Sequence, residues 1–148
     1  MTEQIGVASR VANGRNIPVV MDAGTVWGEP LHTMRIIREC IRAGIAEVHI
    51  EDQLFSRRAY WHTYVAHNIP IDAFRDKIMP ACVQRVEVDK DFVIIARSDA
   101  CREQGYQEAV KRMWVARDVG ADMGLIFPRD HKETVSAPKD CGLPLVYM

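Results

Sequence analysis

The chain has 148 residues, 48% of them hydrophobic and 26% charged, with a formal net charge of −1. That length suffices for a sizeable core, and near-neutral charge supplies no basic field to attract nucleic acid or an anionic membrane surface. No apolar run approaches the roughly 18 residues of a membrane span, and the first residues lack the basic-then-apolar pattern of a signal peptide.

A helical pattern over residues 3–12 opens the chain, and the first apolar run, PVVMDA (residues 18–23), follows it. A second helix is expected over residues 30–43. Leu31, Met34, Ile36, Ile37 and Ile41 form its apolar stripe, while Arg35, Arg38, Glu39 and Arg42 face water. Gly44 stops it, because glycine accepts a left-handed cap cheaply. Next come the run EVHIED (47–52), a polar and aromatic loop, and a third helical pattern over 70–85, in which Pro80 predicts a break or kink. The run FVIIARS (92–98), a helix over 106–119 stopped by Gly120, and the runs MGLIFP (123–128) and LPLVYM (143–148) complete the order. Cys40, Cys82, Cys101 and Cys141 lie scattered with no CxxC pair, so we expect reduced thiols in a cytoplasmic protein and no zinc site.

Runs that are apolar throughout suit strands buried on both faces, as in a parallel sheet covered by helices. The alternation of such strands with helices predicts an α/β fold built of parallel β/α repeats, either a doubly wound sheet or a (β/α)₈ barrel. No GxGxxG follows the first strand, which weighs against dinucleotide binding. A closed barrel needs eight strands and typically about 250 residues. The expectation is therefore a single incomplete barrel domain over residues 1–148, with about five strands and two open edges.

Four constellations bear on chemistry. Asp22 ends a buried strand before a glycine-containing loop, as a hard-cation ligand would, or as a turn or cap residue would. His49 and Glu51 alternate with Ile50 and Asp52, so the first pair shares one face of its strand; such polar groups serve a site or a satisfied network capping the strand. Arg97 near the end of another buried strand suits bidentate binding of a carboxylate, either of a substrate or of an internal residue such as Asp99. The loop containing Arg57, Arg58, Tyr60, Trp61 and His62 fits a lid that contacts an anion, or a solvated loop packed on its aromatics.

In order and spacing, PVVMDAGTVWGEP, AGIAEVHIEDQ and DFVIIARSDA, followed by GADMGLIFP, resemble the isocitrate lyase/phosphoenolpyruvate mutase superfamily across nearly the whole chain. The resemblance implies a TIM-type barrel, often tetrameric, with Mg²⁺ or Mn²⁺ at its C-terminal mouth. It also implies bond making or breaking next to a 2-oxo or enolate carboxylate. By motif, Asp22 corresponds to the first Asp of an Asp-Ala-Asp metal segment and Glu51 to the acidic residue that holds the metal, commonly through water. His49 lines the site, and Arg97 corresponds to the substrate-binding Arg. Gly24 stands where the second metal-segment Asp is expected, and Val26-Trp27 replaces the usual small-aromatic pair. The loop from Arg57 to His62 lacks the Cys that acts as the acid in isocitrate and methylisocitrate cleavage. The Asn-Ser loop of the phosphonomutase branch is not evident, and Arg129 replaces an acidic residue. The pattern is most similar to oxaloacetate decarboxylase-like members.

The resemblance leads to a divalent-metal-dependent carbon–carbon bond lyase or decarboxylase of a small 2-oxo or 2-hydroxy dicarboxylate. Asp22 and Glu51 would hold the metal, Arg97 the carboxylate, and His62 would supply or relay a proton. Two alternatives stand beside it. One is P–C bond chemistry, as in a phosphonomutase or phosphonopyruvate hydrolase, with Arg57 and Arg58 on the phosphonyl group. The other is a catalytically inactive fragment or assembly module. A small-molecule carboxylate and further copies of the chain are the expected partners; nucleic acid and membrane are not.

Overall fold

A computed structural model describes residues 1–14, 17–26, 28–54 and 67–147. Its framework is one sheet of four parallel strands, β1 (Val20–Asp22), β2 (Glu47–Glu51), β3 (Val93–Ser98) and β4 (Met123–Ile126). Each strand pairs with the next in chain order. A doubly wound sheet reverses direction at a switch point; this succession does not, and winds as a barrel wall does. The fifth apolar run occupies the next place in the wall, where its described residues make one parallel bridge, Gly124 to Leu145. There the Gly124 amide donates to the Pro144 carbonyl and the Val146 amide to the Gly124 carbonyl, both at 2.9 Å.

Ladder partners point to the same side of a parallel sheet, and residues two apart do likewise. The register pairs Asp22 with His49, His49 with Ile95, Glu51 with Arg97 and Arg97 with Leu125. All of these side chains therefore share one face. The opposite face carries Met21, Val48, Ile50, Ile94, Ala96 and Ile126, which form one continuous apolar core with the helices. Two differently populated faces explain why the strand runs carry no simple apolar–polar alternation.

The helices are α1 (Thr2–Gly14), α2 (Pro30–Arg42), α3 (Ile71–Val88), the single turn α4 (Ala100–Glu103), α5 (Tyr106–Asp118) and α6 (His131–Asp140). On α2 the buried residues are Thr33, Ile36, Ile37 and Cys40. Leu31 is 78% exposed, because at about 100° per residue it lies on the far side of the helix from Thr33. The expected break at Pro80 does not occur. The ring is buried inside α3, which continues for two further turns; its packing against the core offsets the missing N–H bond. Gly44 and Gly120 take φ of +77° and +102° just beyond α2 and α5, the left-handed exits expected of them. Among the described residues, no helix is long and apolar enough to cross a membrane.

Candidate active site at the strand ends

The C-terminal ends of β1, β2 and β3 bring together four of the residues singled out from the sequence. Asp22 is the last residue of β1, His49 and Glu51 belong to β2, and Arg97 is the penultimate residue of β3. Nη1 of Arg97 stands 3.7 Å from Oδ2 of Asp22 and 3.6 Å from Oε2 of Glu51. His49 Nδ1 lies 3.7 Å from Oδ1 of Asp22. Glu51 is fully buried, Arg97 is 11% exposed at its side chain, and Asp22 is 33% exposed. Asp22 is therefore the solvent-facing member of the set.

Local structure fixes these side chains. The Gly24 amide donates to Asp22 Oδ1 at 2.7 Å, closing a tight turn around the carboxylate. The Gly24 carbonyl accepts the Glu51 amide at 2.9 Å, which ties the β1 exit to β2. Arg97 donates to Asp99 from Nε at 3.3 Å and from Nη2 at 3.2 Å, and its guanidinium lies 5.0 Å from the centroid of the Phe127 ring. Of the two partners considered for Arg97, the internal Asp99 is present. Its Nη1 still points to the Asp22–Glu51 side, where an arriving carboxylate would meet it.

Three carboxylates, those of Asp22, Glu51 and Asp99, surround one guanidinium. In ionised form they leave an excess of two negative charges, which favours a divalent cation beside them. Mg²⁺ is ordinarily held by one or two carboxylates, with waters and substrate oxygens completing its shell, and Asp22 with Glu51 meets that need. No group of three His, Cys, Asp or Glu side chains among the described residues forms an all-protein cage.

Two features at this end were not recognised from sequence. Lys77, reaching from α3, donates to the backbone carbonyls of Glu51 at 3.2 Å and Gln53 at 3.5 Å. Burial pushes its pKa down, against the pull of the Asp52 and Glu51 charges. Beneath the site, Asp52 faces the helices and accepts from Ser98 Oγ at 2.6 Å, Asn68 Nδ2 at 2.7 Å, the Asp99 amide at 3.0 Å and Arg112 Nη1 at 3.2 Å. Burial pushes the Asp52 pKa up, opposed by the Ser98 hydroxyl, the Asp99 amide and the Arg112 charge. Four donors thus converge on the Asp52 carboxyl, one of them from an arginine that keeps its proton. The only sequence signal for this network was the third polar group at the end of β2. Its arginine lies 60 residues away, beyond any local pattern.

His62, Arg57 and Arg58, assigned to a lid, lie outside the described residues. At this end of the sheet a cavity of about 360 Å³ is lined by Thr25, Gln53, Ile69 and Lys77 among others.

The family described as phosphoenolpyruvate phosphomutase matches residues 1–146. The 2,3-dimethylmalate lyase of Eubacterium barkeri is 32% identical over 133 residues, which is 90% of this chain and 45% of that protein. Oxaloacetate acetylhydrolase, solved with the inhibitor 3,3-difluorooxalacetate, superposes with a TM-score of 0.92 at 30% identity, over 97% of this chain and 50% of that one. Phosphonopyruvate hydrolase, solved with oxalate and Mg²⁺, superposes with a TM-score of 0.84 at 28% identity, over 98% of this chain and 50% of that one. The chain thus spans about half the length of the relatives it matches. The wall of successive parallel strands, the charged cluster at its C-terminal end and these similarities agree: the chain belongs to the phosphoenolpyruvate phosphomutase family, within the phosphoenolpyruvate mutase/isocitrate lyase superfamily.

Proposed function

We propose that the chain carries the metal- and carboxylate-binding part of a divalent-metal-dependent carbon–carbon bond lyase or decarboxylase. Its substrate is a small 2-oxo or 2-hydroxy dicarboxylate, and the protein acts as a cytoplasmic homo-oligomer. The observation that carries this reading is the convergence of the Asp22 and Glu51 carboxylates on one guanidinium nitrogen of Arg97, at 3.7 Å and 3.6 Å. Relatives that act on dimethylmalate and bind difluorooxalacetate or oxalate support it.

In this reading Asp22 and Glu51 hold Mg²⁺ or Mn²⁺, which supplies Lewis-acid stabilisation of negative charge on a substrate oxygen. Arg97 grips a substrate carboxylate. Asp99 and the Phe127 ring fix the guanidinium beforehand, so little ordering is left for the moment of binding. His49 lines the site beside Asp22 and holds its orientation. In decarboxylation CO₂ departs, and in cleavage of a 2-hydroxy acid the hydroxyl loses its proton to a base and becomes the carbonyl of the departing fragment. In either case the electron pair of the broken C–C bond is left as an enolate on the other fragment, and one proton on its carbon completes the product. We assign that proton to His62 and the anion contacts of the lid to Arg57 and Arg58.

Titration with oxalate in the presence of Mg²⁺ tests the carboxylate and metal sites together. A hydrogen bond to a charged group contributes about 1.5 to 3 kcal/mol, so Arg97→Ala should weaken oxalate by roughly 10- to 100-fold. Asp22→Asn should abolish the Mg²⁺ dependence. Oxalate affinity unchanged in Arg97→Ala defeats the reading. Phosphate release from phosphonopyruvate, followed by phosphorus NMR, with no turnover of oxaloacetate or of 2-hydroxy dicarboxylates, transfers the site to P–C chemistry.

A further inference from the structure

The far side of the sheet holds a buried charged network that the proposed function does not use. Arg112 projects inward from α5, an outer helix, and is 2% exposed. Its Nη1 donates to Asp52 at 3.2 Å and to the Ile69 carbonyl at 2.9 Å, its Nε to Glu108 at 3.1 Å and its Nη2 to Gln104 at 3.3 Å. Asp52, fully buried, passes the constraint to the end of β3 through two bonds. It accepts the Ser98 hydroxyl on one oxygen and the Asp99 amide on the other. Ser98 Oγ in turn accepts the Ala100 amide at 3.2 Å. The Asp99 carboxylate, set by this turn and by Gln53, is the group that clasps Arg97.

We propose that Arg112 is a positioning residue for Arg97, acting through Asp52, Ser98 and Asp99. The proposal rests on the reading of Arg97 as the carboxylate ligand and deepens it. Two considerations favour positioning over bulk stability. A buried ion pair is on average no more stabilising than apolar residues of the same shape, so geometry is what this pair adds. Every bond leaving Asp52 toward the sheet also ends on Ser98 or Asp99, the two residues that directly follow Arg97.

The other end of the sheet supplies a control. There Arg85 of α3 pairs with Asp122, whose Oδ2 also accepts the Ile94 amide at 2.8 Å. Arg85 Nη2 donates to the Gly120 carbonyl at 2.9 Å. This second Arg–Asp pair ties the starts of β3 and β4 and, among the described residues, has no bond to the Arg97 end, where an effect on the site would enter.

The experiment is side-chain NMR of the full-length protein labelled with ¹⁵N-arginine, with the Arg97 Nε–H signal identified by its loss in Arg97→Lys. Hydrogen exchange at that group should accelerate by about 10-fold or more in Arg112→Met and in Asp52→Asn, and Arg112→Lys should recover part of the change. Arg85→Met should lower the melting temperature while leaving Arg97 exchange within about twofold of wild type. If Arg112→Met fails to fold, Ser98→Ala, which removes one bond from the same carboxylate, is read in the same way. Unchanged Arg97 exchange in Arg112→Met, or in Ser98→Ala in its place, overturns the proposal. So does an equal acceleration in Arg85→Met. Oxalate titration with Mg²⁺ on the same samples should show affinity falling with Arg97 order. Accelerated exchange in a protein whose wild type binds no oxalate supports the positioning role and defeats the carboxylate assignment instead.

Discussion

At the scale of single residues, position 24 departs from the pattern that the superfamily resemblance implies. Gly24 adopts φ of +55°, donates its amide to the Asp22 carboxylate and accepts the Glu51 backbone amide on its carbonyl, and so ties the Asp22 side chain to the β2 end that carries Glu51. The resemblance expects a second Asp there, and its absence leaves the cation site with fewer protein charges. Aspartate tolerates the left-handed region better than most residues, so Gly24→Asp is compatible with the turn. Affinity for a hard cation rises with the number of carboxylate ligands, and we expect Mg²⁺ to bind about 10-fold more tightly to Gly24→Asp, a gain of about 1.4 kcal/mol. The positive φ should cost about 1 kcal/mol of stability. Calorimetric Mg²⁺ titration paired with thermal melting checks both signs. A variant that melts lower with no gain in Mg²⁺ affinity would show that residue 24 does not face the cation.

At the scale of elements, the wall is thinnest where β4 meets the fifth run, and Gly124 sits at that junction. A Cβ there would lie 2.6 Å from Met113 Sδ of α5 and 3.0 Å from Leu145 Cδ2. Because Met113 is fully buried, its sulfur has little room to yield. We expect Gly124→Ala to cost about 1 to 3 kcal/mol, the usual range for overpacking. Equilibrium denaturation measures the cost, and faster amide exchange at Val146 would locate it at the bridge; neither change would mean that α5 yields freely. The same junction shows what periodicity reveals. β1 to β4 were legible because strands buried on both faces have few polar residues, and their polar ends marked the site. The fifth run reads equally well, yet Pro144 has no amide to pair, and among the described residues the run makes one bridge. α6 escaped notice because Ala137 is its one buried residue, which leaves no apolar stripe to read. Its signal was Asp130, whose side chain caps the Glu133 amide at 2.8 Å, a capping-box spacing. Of the site, Asp22, His49, Glu51 and Arg97 were legible as polar interruptions of apolar runs. Arg112 was not, since on α5 it looks like any solvent-facing arginine until Asp52 is placed beneath it.

At the scale of the whole molecule, the helix-facing layer holds all four cysteines, on α2, α3 and α4 and at the end of α6. All are buried free thiols. Burial pushes Cys40 and Cys141 up to about 12 and Cys82 and Cys101 up to about 11, from an ordinary value of 9.0. A thiol whose pKa is higher in the folded state keeps its proton where the unfolded chain has lost it. The resulting stability is complete below about pH 9 and is lost as pH rises toward the folded values. Each such thiol removes about 1.4 kcal/mol per pH unit within that window. Domain stability is only about 5 to 15 kcal/mol, so four thiols acting together place the alkaline unfolding midpoint between roughly pH 9 and pH 11. Circular dichroism against pH measures it, and a Cys40→Ala, Cys141→Ala double variant should unfold at higher pH, its packing loss corrected by the difference at pH 7. The native protein should leave all four thiols unreactive toward a thiol reagent at pH 8 and expose them together on unfolding. Stability that stays flat to pH 11, or rapid modification of one thiol in the native state, would mean that the layer between sheet and helices opens to solvent. The apolar face that holds β1 to β4 against α2, α3 and α5 would then be looser than its closed packing implies.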